Sequence, residues 1–189
     1  MNARVYSQGF KDPREMPTYA STPSIHSIYI AIIYMLSKDF PMMKADVSGA
    51  FLQAEDVCNK KIGIRVPRIR ILSDFPDKKP KELSKFTDEQ YEIVKKKRKE
   101  LKEGKIYITD KALYGGPSSA RMFSTKAKTE LKELGFEEID ESIHVQREMN
   151  TNEVNAVIYH YVDDFEGGAM DIEEIFSKYE HRLSLSSLV

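Results

Sequence analysis

Val154-Asn155-Ala156-Val157-Ile158-Tyr159-His160-Tyr161-Val162-Asp163-Asp164-Phe165-Glu166-Gly167-Gly168 is the stretch on which the reading of this chain turns. Its first nine residues are mostly β-branched, aromatic or small, which fits a buried strand. Asp163 and Asp164 follow at once, so a strand end would immobilise two adjacent carboxylates. Neighbouring side chains in a regular strand point to opposite faces, so both acids can serve one site only where the backbone turns. Gly167-Gly168 is the expected break. Clustered carboxylates repel one another, and a bound divalent cation relieves that cost. Hard oxygen ligands favour magnesium or manganese. Taken alone, Asp-Asp after a core strand also makes an ordinary polar turn.

Upstream, residues 142–147 read as a second strand, joined to 154–162 by the turn-forming Asn150-Thr151-Asn152, so the two form a hairpin. Before them, Ser118 or Ser119 caps a helix with apolar positions Ala120, Phe123, Ala127, Leu131 and Leu134, ended by Gly135. Thr22 can cap another helix, with Pro23 in its first turn and an apolar face at Ile25, Ile28, Tyr29, Ile32, Ile33 and Leu36. Met42 to Val47 is strand-like and sets Asp46 at the strand end, ahead of a turn into a short helix at 48–52. Residues 62–71 suggest a strand, 87–103 a solvated charged helix capped by Thr87 or Asp88 and ended by Gly104, and 105–108 a short strand. Downstream, 172–183 has helical spacing at Ile175, Phe176, Tyr179 and Leu183. The order lacks regular strand-helix alternation, which predicts an α+β fold, an antiparallel sheet with helices packed on one face.

The 189 residues, 41% apolar, suffice for one sizeable core. One cysteine, Cys58, excludes an internal disulfide and a cysteine-built zinc site, and the four histidines are scattered. The longest apolar run, residues 28–36, is too short to span a membrane, and the N-terminus lacks a signal-peptide pattern, so the chain reads as intracellular. A formal charge of −1 argues neither for nor against nucleic acid, because it hides a lysine excess over 76–105 and an acidic excess over 135–180.

Four ordered blocks resemble copia-type retrotransposon reverse transcriptases: Ala3-Arg4-Val5-Tyr6-Ser7-Gln8-Gly9-Phe10, Asp46-Val47-Ser48-Gly49-Ala50-Phe51-Leu52, Leu113-Tyr114-Gly115 with Arg121 and Phe123 followed by Leu134-Gly135-Phe136, and Tyr161-Val162-Asp163-Asp164. The resemblance implies a palm with partial fingers: a fingers segment and helix at 1–41, the first palm block and a strand at 42–75, a lysine-rich charged insertion at 76–105, and the rest of the palm at 106–189. On this resemblance the domain is incomplete, with the thumb and ribonuclease H absent. It implies RNA-directed DNA polymerase activity on a template-primer with deoxynucleoside triphosphates and two magnesium or manganese ions, about 3.5–4 Å apart. Asp46, Asp163 and Asp164 match the catalytic, metal-binding carboxylates, with the Val47 carbonyl as a further ligand and Asp163 the more essential of the pair. Phe51, Ala50, Arg4, Tyr114 and Gly115 match nucleotide-contacting positions, Phe51 being the aromatic that excludes a 2′-hydroxyl. Arg121 and Tyr161 match positions beside nucleic acid, and Lys95, Lys96 and Lys97 could reach a template backbone electrostatically. An active element of this kind would work in a cytoplasmic virus-like particle or the nucleus.

The chain departs from the family at Asn2, at Pro117-Ser118-Ser119-Ala120 in place of Lys-Gln-Ser-Pro, and after the tetrad. There Phe165-Glu166-Gly167-Gly168-Ala169 replaces an apolar return strand, which predicts that this strand is poorly formed. Two readings compete with an active polymerase: a decayed element fragment that folds without polymerising, and a non-catalytic nucleic-acid or protein-binding module built on the lysine-rich helix.

Overall fold

The structure is a computed structural model that describes residues 7–56, 61–65, 87–100, 105–180, 182–183 and 185–188, with side chains left aside at 94, 97–100 and 185–188. The chain divides into two units, one of residues 1–60 and 110–189, the other of 61–109. In the first, α1 (Ile25–Ser37), β1 (Met42–Val47) and the short α2 (Ala50–Gln53) precede α4 (Ser119–Glu133), β4 (Glu137–Asp140), β5 (Ile143–Arg147), β6 (Val154–Tyr161), β7 (Asp164–Ala169), α5 (Ile172–Glu180) and β8 (Leu185–Leu188). In the second, β2 (Gly63–Arg65) pairs antiparallel with β3 (Ile106–Ile108), and α3 (Asp88–Glu100) carries the lysines. Thr87 caps α3 as expected: its hydroxyl accepts from the Gln90 N–H while its own N–H donates to the Gln90 side chain.

The larger unit is a six-stranded antiparallel sheet in the order β4-β5-β6-β7-β1-β8. The expectation of helices on one face is corrected here, because adjacent strand residues bury against different partners. Val157 and Tyr159, with Ile143 and Val145, pack with Ala31 and Met35 of α1. Ala156 and Ile158, with Phe165 and Ala169, pack with Phe123, Ala127 and Leu131 of α4 and Ile175, Phe176 and Tyr179 of α5. A period of two sends these two sets to opposite faces, so helices cover both. The larger core is on the α4–α5 side, where Phe123, Phe165, Phe176 and Tyr179 are fully buried, each worth roughly 1.5–3 kcal/mol.

α1 starts later than its sequence suggests, capped by Ser24, whose hydroxyl accepts from the Ser27 N–H, rather than by Thr22. Its predicted apolar face is corrected in part: Ile28 and Ile32 pack against the core beside the buried Ala31 and Met35, while Ile25, Tyr29, Ile33 and Leu36 are more than half exposed. The helix is apolar nearly all round, so periodicity alone does not fix its inward side.

The return strand is the largest correction. β7 is fully formed and central, pairing with β6 from Tyr161↔Asp164 to Ala156↔Ala169 and with β1 from Asp46↔Asp164 to Met42↔Gly168. Gly167 and Gly168 do not break the chain. A Cβ at Gly168 would come within 2.6 Å of Met35 Sδ, and one at Gly167 within 2.9 Å of Ile158 Cγ1, so both glycines let neighbours lie against the strand. The turn is the two-residue Val162-Asp163 tip instead, with Val162 at φ 57°.

Before α1, residues 7–24 cross the unit as a strap, irregular but for a single 3-10 turn at Gly9–Lys11. The Ser7 N–H donates to the Tyr114 carbonyl at 2.7 Å, and Arg14 sits buried between Asp12 and Asp56. The guanidinium holds the Asp12 carboxyl below its usual range.

Candidate active site at the β6–β7 tip

Three strands converge on the tetrad. The β6–β7 register sets Tyr161 opposite Asp164, and the β7–β1 register sets Asp164 opposite Asp46. Directly opposed residues share a face, with Cβ atoms roughly 4.5–5.5 Å apart, so Asp46 and Asp164 emerge side by side at one end of the sheet. Asp163 is in the turn, and its carbonyl accepts the Val47 N–H at 3.0 Å, which ties the hairpin tip to the end of β1. Val47 is buried, Asp46 and Asp163 are half-buried, and Tyr161 is exposed. The tip holds a β-branched residue at positive φ, a conformation that costs about 1–2 kcal/mol. Strain of that kind persists where the surrounding pairing enforces it, and strands on both sides of β7 do so here.

The same face carries a second row that sequence reasoning missed. One step from the tip, Tyr159 lies opposite Glu166 and Glu166 opposite Lys44. The Tyr159 hydroxyl donates to Glu166 Oε2, Lys44 Nζ stands 3.2 Å from Glu166 Oε1, and it also reaches Asp164 Oδ1 at 3.6 Å. Hydrogen bonding to Glu166, with the nearby charges of Asp164 and Glu166, raises the Lys44 pKa. Burial, and then the bond to Glu166, raise that of Tyr159. The available signal was the polar alternation Lys44–Asp46 and Asp164–Glu166, two residues apart on each strand, which marks one face of a sheet.

The donor chemistry suits a hard divalent cation: Asp46 and Asp164 offer carboxylate oxygens from one face, with Asp163 adjacent. Among the described residues, however, no group of three or more His, Cys, Asp or Glu side chains stands in an arrangement that could hold a metal ion. The backbone pairing juxtaposes two carboxylates, those of Asp46 and Asp164, and Asp163 is next to them in the turn.

Ala50, one of the predicted nucleotide-contacting residues, is fully buried in α2. Phe51 is half-buried, its ring 4.9 Å from that of Tyr114 and 6.4 Å from that of Phe123. From Phe123 the aromatic contacts continue to Phe165 and then to His160 and Tyr179. Tyr114 and Gly115 hold the strap in place. The Tyr114 carbonyl anchors Ser7, and Gly115, at φ 82°, lies so close to Ser7 that a Cβ would be 2.3 Å from its carbonyl oxygen. Arg121 is exposed on the first turn of α4. In the smaller unit, Lys95 pairs with Glu92 at 3.7 Å and Lys96 is exposed on α3. Arg4 and the side chain of Lys97 lie outside the described residues, as do residues 76–86 and 101–104 of the lysine-rich segment. No helix among the described residues is long and apolar enough to cross a membrane.

No protein-family model matches the chain, and no curated protein matches it. Among solved structures, the chain is similar to apo telomerase from Candida tropicalis truncated from its C-terminal domain, at 12% identity and a TM-score of 0.40, over 90% of this chain. It spans 35% of the length of that telomerase chain.

Proposed function

We propose that this chain is the palm-bearing part of a copia-type reverse transcriptase, an RNA-directed DNA polymerase that joins deoxynucleotides to a primer 3′-hydroxyl. The observation that carries the reading is the register that sets Asp164 directly opposite Asp46 at a two-residue hairpin tip. These residues belong to two separate family-like blocks, and strand pairing makes them neighbours on one face.

Asp46, Asp163 and Asp164, with the Val47 carbonyl, would hold two magnesium or manganese ions. When bound, such ions supply activation of the 3′-hydroxyl and charge neutralisation of the triphosphate and leaving pyrophosphate. The protein's own share is orientation: β1, β6 and β7 fix the carboxylates, and the tie between Val47 and Asp163 keeps the tip in register. Phe51, braced by Tyr114 and Phe123, would present its ring to the sugar and exclude a 2′-hydroxyl. Arg4 would meet the triphosphate, while Arg121, Tyr161 and the α3 lysines Lys95, Lys96 and Lys97 would meet the template-primer.

The test is primer extension on an RNA template with magnesium or manganese. Incorporation that disappears in Asp46→Asn and Asp163→Asn supports the reading. A parent protein that incorporates nothing, or an Asp163→Asn variant as active as the parent, overturns it. A second reading, a folded palm that does not polymerise, draws on two observations: the three carboxylates are not grouped for metal binding, and Asp164 is already paired with a lysine. An inactive parent with a cooperative melt would favour it.

A further inference from the structure

Lys44, Asp164, Glu166 and Tyr159 form a closed set beside the carboxylate pair. Glu166 is held from two sides, by the Tyr159 hydroxyl and by Lys44 Nζ at 3.2 Å. Tyr159 is almost fully buried against α1, so its hydroxyl fixes one carboxylate oxygen of Glu166 while the other faces Lys44. Lys44 and Asp164 are each about half exposed, 53% and 50%, so the ammonium can leave Asp164 without unpacking the core. An ammonium 3.6 Å from Asp164 Oδ1 neutralises the charge that a divalent cation would need, and Glu166 stands ready to keep that ammonium once it is displaced.

From this geometry we infer that Lys44 is a built-in counter-ion and positioning residue: it draws Asp164 toward Glu166, and a divalent cation binds between Asp46 and Asp164 by displacing it. The inference rests on Asp46 and Asp164 being cation ligands. It gives Lys44 regulation of that site, since cation affinity is set by the competition between an ammonium and a metal for one carboxylate. Glu166, anchored by Tyr159, is the resting place of the displaced ammonium and keeps it near the site.

The test is titration of the full chain with manganese, free manganese being read by electron paramagnetic resonance at fixed ionic strength, for the parent, Lys44→Met, Lys44→Arg and Asp164→Asn. Removing a unit charge about 4 Å from a bound divalent ion tightens binding by about tenfold after screening. Lys44→Met should therefore lower the manganese Kd about tenfold, an effect that shrinks with added salt. Lys44→Arg, which keeps the charge, should stay within about twofold of the parent. Thermal melts report folding of each variant independently. Manganese binding that Asp164→Asn abolishes but Lys44→Met leaves unchanged overturns the counter-ion role and spares the site. Binding absent from the parent and from Lys44→Met alike overturns both. Binding that emerges only in Lys44→Met supports the inference in its strongest form.

Discussion

Mild acid should destabilise this protein through two histidines. His144 and His160 are 2% and 0% exposed, with rings stacked 5.6 Å apart, and His160 lies 4.9 Å from the Phe165 ring. Among the described residues, His144 Nε2 and both His160 ring nitrogens make no hydrogen bond of good geometry. Burial pushes His144 down to about 4 and His160 to about 3, from an ordinary value of 6.5. The surroundings divide: for His160 the other imidazole disfavours protonation and the Val162 backbone favours it, and for both rings Glu138 across the β4–β5 pair favours it while Lys128 on α4 disfavours it. In the unfolded chain both rings protonate as pH falls through 6.5; in the folded chain they stay neutral. Stability is therefore full above that value and drains away toward the folded values near 4 and 3. At about pH 5 the loss is about 2 kcal/mol per histidine, or about 4 for the pair, a large part of the 5–15 typical of a domain. Carboxylates held low by partners, among them Glu130, Glu138 and Asp140, lose their contribution only as pH falls through those lowered values. The window between about pH 6.5 and 5 therefore belongs to the histidines. Urea unfolding followed by far-UV circular dichroism should show the midpoint falling by roughly 1.5–2 M between about pH 7.5 and 5. His144→Leu/His160→Leu should flatten that slope. A midpoint that does not move, or one that moves equally in the double variant, refutes the reasoning.

Arg14→Met should cost about 3–5 kcal/mol in urea unfolding, because it leaves the buried Asp12 and Asp56 carboxylates facing each other without their shared guanidinium. A loss under about 1 kcal/mol would mean the strap does not depend on that triad. Gly115→Ala should destabilise by roughly 2–3 kcal/mol, since it adds a Cβ at positive φ against the Ser7 carbonyl. An effect on nucleotide affinity alone, with an unchanged melt, would instead assign Gly115 to the binding pocket. Val162→Gly should raise stability by about 0.5–1 kcal/mol, the relief of a strained valine less the entropy of glycine. Differential scanning calorimetry would show this as a Tm higher by a few degrees.

Local signals carry much of the fold. β1, β6, α3 and α4 have their own periodicity and punctuation, and they form close to where those signals set them. β4 has no such signal: Glu137, Glu138, Ile139 and Asp140 are all exposed, and the strand exists because β5 offers it an edge to pair with. β8 is a similar case, formed on the outer edge of β1.

β7 is where local preference and packing part. Gly-Gly near a polar pair has the local grammar of a turn, and valine is a poor residue for positive φ, so local preference sets the reversal at 167–168 rather than at 162–163. Packing decides otherwise. Met35 of α1 and Ile158 of β6 need flat backbone beneath them, which side chains at 167 and 168 would deny, so the glycines serve mid-strand. The reversal is then forced onto Val162-Asp163, and the strain there is the cost of keeping Tyr161, Asp164 and Asp46 in one row. The same displacement explains why the carboxylates are legible one by one in the sequence but their partners are not. With the turn at 162–163, Glu166 becomes a mid-strand residue on the face of Asp164, directly across from Lys44. Had the chain turned at the glycines, Glu166 would have been a loop residue, and Lys44 would have had Asp46 as its only acidic neighbour on that face. The hairpin tip thus fixes both where the carboxylates meet and which cation already stands beside them.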